Sequence, residues 1–378
     1  MTSNDARPAA AGAGGVLVHE WLTRAGGSEN VFHSLGRIYP EADVVSLWND
    51  DPERFPWETT KESWLARTPL RGRKALSLPV LPIVWRTLGA GPYDWAVLSS
   101  HAFAHHARFS KSRDAERFVY VHSPARYLWT PEVDARGANP VIRAAAAALR
   151  PIDKRRAQEG AAFAANSAYV RQRIADTWGV DSSVIHPPVA VEAIRAVEDW
   201  GDQVTPDEAR TLDALPDRFA LGASRFIPYK RLDLVIRAGE QAGLPVVLAG
   251  AGDLEAPLRE QAATASVPVT FVIRPSNAML RALFQRCSVY VFPAVEDFGI
   301  MPVEALAAGA PVVAQAVGGT SEIVEEGVSG ALTTFRSMPD VGRAIETAVA
   351  TDREDRLARA DVFSEAAFER QIRAWTGR

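Results

Sequence analysis

The chain has 378 residues, 47% of them hydrophobic and 23% charged, with 42 basic against 46 acidic side chains for a net charge of -4. One hydrophobic core rarely serves that length, so two domains are expected, and the acidic balance argues against a nucleic-acid or general polyanion binder. The one cysteine, Cys287, builds neither a disulfide framework nor a cysteine-based zinc site, and no apolar run approaches the ~20 residues that span a bilayer.

In chain order, residues 1–14 are rich in Ala, Gly and Pro and lack the basic and apolar regions of a secretory signal, which reads as a loose tail in a cytoplasmic chain. Strands are then expected at Gly15–Glu20, Asp43–Leu47, Trp95–Ser100, Arg117–His122 and Ala162–Asn166. Between them lie helices such as Ser28–Ile38 and Ser167–Thr177, with Ser28 and Ser167 as N-caps. This first domain covers 15–190, ending at His186-Pro187-Pro188-Val189, and the polar stretch 191–217 reads as a linker. Over 218–362 the alternation restarts, with strands expected at Phe219–Ser224, Pro245–Gly250, Val269–Arg274, Ser288–Pro293 and Pro311–Ala314. Alternating strands and helices of this kind make two doubly wound α/β domains, whose ligands sit beyond the carboxyl ends of the strands.

The loops at those ends carry the candidate chemistry. Ser288 to Gly309 reads as a buried strand, a tight loop and a helix, with Pro302 in its first turn and Gly309 past its end. The backbone N–H groups of Gly299, Ile300 and Met301 and the helix dipole form an anion site suited to a diphosphate. Glu296 and Glu304 can accept hydroxyl hydrogen bonds from a sugar or ribose; acidic side chains near a helix start are also common capping devices. Arg225 and Lys230 follow the first strand of the second domain, where fixed cations stabilise charge developing on a leaving diphosphate. In the first domain Gly26 and Gly27 stand at a helix entry, either as an anion-tolerant loop or as a simple turn. His122 and His101 close two apolar strands, a position that core histidines also occupy.

These stretches resemble the retaining glycosyltransferases of family 4. Glu296 and Glu304 match the E-x7-E signature, and Leu221 to Leu234 match the strand and loop from which an Arg and a Lys, here Arg225 and Lys230, grip the donor phosphates. Val246 to Gly252 is similar to the strand and glycine turn beside the nucleotide, which assigns Gly250 to the donor. Val269 to Arg274 resembles the strand whose end touches the base, with Ile273 standing where the family commonly has Gly and Arg274 following it. Gly26 and Gly27 match the early Gly-Gly loop, His122 the histidine close to the transferred sugar, and His101 is placed toward the acceptor. The likeness runs from about residue 15 to 370 and is closest to bacterial mannosyltransferases of polysaccharide assembly.

The resemblance implies a GT-B fold, two Rossmann-like domains facing across a cleft, with a C-terminal helix, residues 363–378, crossing back to the first domain. It implies an enzyme that transfers a sugar with retention from a nucleotide-sugar, GDP-mannose or a UDP-sugar, to a glycan, lipid-linked or small-molecule acceptor, without a metal or other cofactor. A nucleotide-sugar epimerase or phosphorylase of the same fold, or a non-catalytic sugar binder, stands as the alternative. Finally, Lys61 to Thr87 combines Arg67, Arg71, Arg73, Lys74 and Arg86 with Trp64, Leu76, Leu78, Leu81, Ile83 and Trp85. Such a segment reads either as a docking surface for the inner face of an anionic membrane or as helices packing into the core.

Overall fold

The computed structural model of the chain describes residues 14–24, 26–56, 60–89, 91–130 and 140–378, with the side chains of 140–146 outside the description. The expected tail therefore lies, apart from Gly14, outside the described residues. The contacts divide the chain into two compact units, one reaching to Ala164 and including Arg173–Ser183, the other comprising Ala165–Gln172 and Val184–Arg378.

The first unit holds a seven-stranded sheet of β1 (Gly15–Leu22), β2 (Asp43–Asn49), β3 (Thr60–Glu62), β4 (Trp95–Ser100), β5 (Glu116–Val121), β6 (Ala162–Ala165) and β7 (Ser183–Val184), in the order β3-β2-β1-β4-β5-β6-β7. β1 pairs in parallel with both β2 and β4, His19 standing opposite Ser46 on one side and Ser99 on the other. β1 is buried along its whole length, as a strand covered on both faces must be.

The second unit holds β8 (Ala220–Ala223), β9 (Val246–Gly250), β10 (Val269–Ile273), β11 (Val289–Phe292), β12 (Val312–Gln315) and β13 (Gly330–Thr333), in the order β10-β9-β8-β11-β12-β13 and parallel throughout. In both sheets the order reverses once, between β1 and β4 and between β8 and β11. Helices leaving the two strands at such a point go to opposite faces, which opens a crevice at their carboxyl ends.

Two expectations are corrected. Residues 191–217 are a folded part of the second unit rather than a bare linker: helix Val191–Arg195, a turn at Trp200–Gln203 and helix Pro206–Asp213, the last closed by a Thr205–Glu208 capping box. Val191, Ile194, Trp200 and Leu212 are buried in the same core as Phe219 and Tyr290. The first long helix begins at Gly27 with Gly26 as its N-cap, and Ser28 lies inside it. Ser167 does cap its helix, accepting from the Val170 N–H at 3.0 Å. The terminal helix Glu365–Thr376, capped by Ser364, is grouped by its contacts with the second unit, in which Val189 bridges to Ser364. Of the segment 61–87, Leu81 and Trp85 are fully buried while Trp64, Leu76 and Ile83 are exposed. Its charges are partly spent within the fold, Arg71 pairing with Glu62 and Asp50 at 2.9 Å and Arg86 with Glu159 at 2.6 Å.

One buried charge ties the first unit together. Asp153, in helix Pro140–Ala157, is wholly buried. Its Oδ1 lies 3.1 Å from His105 Nε2 and 3.0 Å from His106 Nε2, and its Oδ2 accepts from the indole N–H groups of Trp129 at 2.8 Å and Trp178 at 2.7 Å. The N–H groups of His106, Trp129 and Trp178 replace water around one carboxylate, and the adjoining His105 and His106 rings hold its pKa well below the usual range although burial alone would raise it. Asp153→Ala strands those donors and is expected to cost about 3–5 kcal/mol, read as a lower urea midpoint; an unchanged midpoint would contradict the anchoring role.

Candidate functional site

Beyond β8, Arg225 is exposed, its guanidinium donating to the Tyr229 hydroxyl at 3.1 Å, while Lys230 is buried at the end of a short 3-10 turn. The Lys230 ammonium forms an ion pair with Glu296, in the loop after β11, and lies 5.4 Å from the centre of the Phe292 ring. The sequence assigned these two side chains to different parts of a donor; the structure brings them together. A cation and a carboxylate in contact at a half-dry site neutralise each other until a ligand separates them.

Glu296 is held by a glycine contact. Gly319 donates its N–H to the Glu296 carbonyl at 2.8 Å, and a Cβ on Gly318 or Gly319 would lie 2.7 Å from the Glu296 oxygen or 2.1 Å from the Asp297 oxygen. Only residues without side chains let the two loops nest so closely. Glu322, at the end of the following turn, accepts from the N–H groups of Ala168 and Tyr169 at 2.8 and 3.0 Å and pairs with His186 at 3.1 Å.

Helix Ile300–Ala307 starts at Gly299, in left-handed backbone at φ 112°, with no side-chain cap. Glu304 lies in the second turn, not the first. Burial pushes its carboxyl up to about 7, with Arg281 offsetting part of the rise. Gly250 closes β9, and a Cβ there would meet the Ser224 carbonyl at 1.9 Å, so this glycine is required for packing against the loop that carries Arg225. Arg274 is exposed and left-handed at φ 50°, its N–H donating to the Gly250 carbonyl at 3.0 Å. The positive φ that a glycine would adopt freely thus falls one residue after Ile273, on an arginine.

In the first unit, His19 of β1, His101 after β4 and His122 after β5 form a triangle, with ring centres 5.4 Å apart for His19–His101 and 6.2 Å for the other two pairs. Burial lowers His19 to about 4 and holds His122 well below its ordinary value. For His101 burial acts in the same direction, but the adjoining Glu20 carboxylate overrides it and raises the imidazole. Glu20 is fully buried. Its Oε1 accepts the backbone N–H groups of His101, Ala102 and Ala104 at 3.1, 2.9 and 2.9 Å, and its Oε2 lies 3.1 Å from His101 Nδ1. Sequence reasoning missed Glu20; its one signal was a charge inside the apolar strand Gly15–Leu22.

At Gly26 and Gly27 the helix N-terminus is already served. The Glu29 carboxylate folds back over Gly26 and takes the hydroxyls of Thr23 at 2.5 Å and Ser28 at 2.7 Å. An anion arriving there meets a carboxylate of the chain itself. Two groups, His19–Glu20–His101 and His105–His106–Asp153, have ligand-type atoms close enough to share a metal ion. In the second, Asp153 already receives the ring N–H groups of His106, Trp129 and Trp178.

Residues 206–369 match the family described as Glycosyl transferases group 1. A D-inositol 3-phosphate glycosyltransferase of Mycobacterium marinum is 32% identical over 198 residues, 49% of this chain and 40% of that protein. The chain thus spans well under half the length of the curated relative it matches. Among solved structures, Anabaena HepE in complex with UDP-glucose superposes with a TM-score of 0.68 at 19% identity, over 96% of this chain and 99% of that one. Sucrose-phosphate synthase from Thermosynechococcus elongatus gives 0.66 at 16%, over 95% and 97%.

The raised carboxyl of Glu304 has a measurable sign. A Glu whose folded pKa stands above its unfolded value stabilises fully below about 4.5, and that contribution is lost as pH rises through about 7. Glu304→Gln is therefore expected to gain Tm over the wild type at pH 8 and to match it near pH 4.5; a Tm difference independent of pH contradicts this. Residues 206–369, within the second unit, thus match glycosyl transferases group 1, in a chain that shares the GT-B fold of its structural neighbours.

Proposed function

We propose that the chain is a retaining glycosyltransferase that moves a hexose from a nucleotide-sugar to a hydroxyl acceptor. The observation that carries this is the gathering of Arg225, Lys230, Glu296, Glu304 and an N-terminus without a side-chain cap around one strand-order reversal. In this reading Arg225, Lys230 and the first turn at Gly299 to Met301 take the diphosphate, and Glu304 takes a ribose hydroxyl. Glu296, released from Lys230, accepts from the sugar. His122 is a hydroxyl partner of the transferred sugar, and His101 belongs to the acceptor.

Retention proceeds by attack from the face that the diphosphate leaves. The acceptor oxygen bonds to the anomeric carbon as the bond to the diphosphate oxygen breaks, and the acceptor proton passes to the departing phosphate. Cations and helix N–H groups offset the charge on that oxygen, so the reaction is proposed to be metal-independent. GDP-mannose is the donor carried by the likeness to mannosyltransferases of polysaccharide assembly, and a UDP-sugar is the second reading, favoured by the UDP-glucose bound to HepE. A donor panel assayed for released nucleoside diphosphate, with and without EDTA, tests all of these. Release from no donor sinks the proposal, release from UDP-sugars alone replaces mannose, and abolition by EDTA removes metal independence. In the active pairing, Lys230→Ala or Arg225→Ala is expected to lower turnover roughly 10²- to 10³-fold in a folded protein; activity within twofold of the wild type would free that cation of its role.

Among the described residues, no helix is long and apolar enough to cross a membrane. Exposed Trp64, Leu76 and Ile83, with exposed Arg67 and Arg73, support a cytoplasmic chain that docks peripherally to reach a lipid-linked acceptor. Each basic residue near an anionic surface contributes about 1 kcal/mol. Co-sedimentation with anionic vesicles at low salt is expected, weakened in the Arg67→Ala, Arg73→Ala double variant; absence of binding leaves a soluble acceptor.

A further inference from the structure

We propose that Ser99 is a positioning residue that fixes His122 as a neutral imidazole with its proton on Nδ1, through a one-way chain of hydrogen bonds running from His19 through Ser99 to His122. Its bearing on turnover rests on the reading that His122 meets the transferred sugar; the tautomer itself does not.

The direction of the chain follows from one carbonyl. His19 Nδ1 lies 3.2 Å from the Ser99 backbone oxygen and 3.0 Å from the Ser99 hydroxyl oxygen. A carbonyl only accepts, so the His19 proton must sit on Nδ1, shared between the two Ser99 oxygens. The opposite tautomer fails twice. It would set a lone pair of Nδ1 against the carbonyl, and it would place an N–H on His19 Nε2, which is buried with no hydrogen-bond partner among the described residues. With His19 donating, the Ser99 hydroxyl is an acceptor on that side and keeps its own proton to give. Ser99 is fully buried, and the ring partner on its other side is His122 Nε2 at 2.8 Å. Nε2 of His122 therefore accepts, and the ring proton lies on Nδ1.

The frame is stiff at each step. His19 and Ser99 are register partners in the parallel pair β1–β4, and the His122 N–H donates to the Ser100 carbonyl at 2.9 Å as β5 ends. The His19 ring is stacked on Phe32 at 4.9 Å. The charged groups around the triangle are Glu20 and Glu29, with His101 and Lys74 as their cationic counterparts. The consequence for chemistry is definite: the Nε2 of His122 is not a base for the acceptor, since that lone pair is already engaged. This agrees with a reaction in which the departing phosphate takes the acceptor proton.

The test is nitrogen NMR of the histidine side chains in the full-length protein at pH 7, with His122 assigned by comparison with His122→Ala. The wild type is expected to show His122 with Nδ1 protonated and Nε2 bare. In Ser99→Ala the buried Nε2 loses its donor, and the ring is expected to move to a tautomer mixture or to the Nε2–H form. With the active donor, kcat/KM should fall about fivefold, the factor that one hydrogen bond of ~1 kcal/mol represents. Ser99→Thr, which keeps the hydroxyl, should restore the tautomer. An Nε2–H form in the wild type, or a tautomer unchanged by Ser99→Ala, overturns the inference. Should the tautomer respond as stated while His122→Ala keeps full turnover, the role of His122 at the sugar falls and the hydrogen-bond assignment stands.

Discussion

The reversal of strand order within each sheet is the constraint on which the rest depends. A right-handed crossover sends successive helices to one face until the order turns, and only there do neighbouring loops separate enough to admit a ligand. Between β8 and β11 the loops so parted carry Arg225 and Lys230 on one side and Glu296 on the other. Between β1 and β4 stand Glu20, within β1, and His101, just after β4. Residues separated by 66 or by about 80 positions are brought into contact by a property of the topology, before any side chain is considered.

The first unit keeps charge inside by matching it with oriented donors. Glu20 and Asp153 are each fully buried, and each is surrounded by N–H groups held in rigid backbone or ring geometry, so that neither depends on water. The Lys230–Glu296 pair is different in kind, since its members satisfy each other and have something to gain from a ligand that brings both hydroxyls and phosphates. The raised Glu304 carboxyl is different again, a group whose burial is not matched by donors of the protein. A static anchor and a site awaiting a partner are told apart by that bookkeeping.

How much of this was legible in the sequence depended on how local its cause is. Long buried strands such as Trp95–Ser100 were read to the residue, and the pair Glu296 and Glu304 stood out because a strand, a loop and a helix follow one another within twenty residues. Three strands were not seen. Thr60–Glu62 and Ser183–Val184 are too short to show alternation, and Gly330–Thr333 follows a turn that hides its start. The stretch 191–217 was misread because its polar majority masks Val191, Ile194, Trp200 and Leu212, four apolar residues spaced too widely to form a run. Ser28 lost its cap role to Gly26, since Glu29 reaches back to the same turn. Ser99 had no local signature and Glu20 only that of a charge in an apolar strand, because what defines them lies across the sheet.

The nesting of Gly318 and Gly319 against the backbone of Glu296 and Asp297 carries a consequence for how such a protein can change. Main chain rests on main chain there, so the aim of the carboxylate is inherited from a neighbouring loop that contributes no side chain of its own. Exposed Val295 and Val317, which flank the contact, can be exchanged without moving that backbone. The side chains along the rim can therefore drift while the carboxylate stays in place, and the two traits are free to evolve at separate rates.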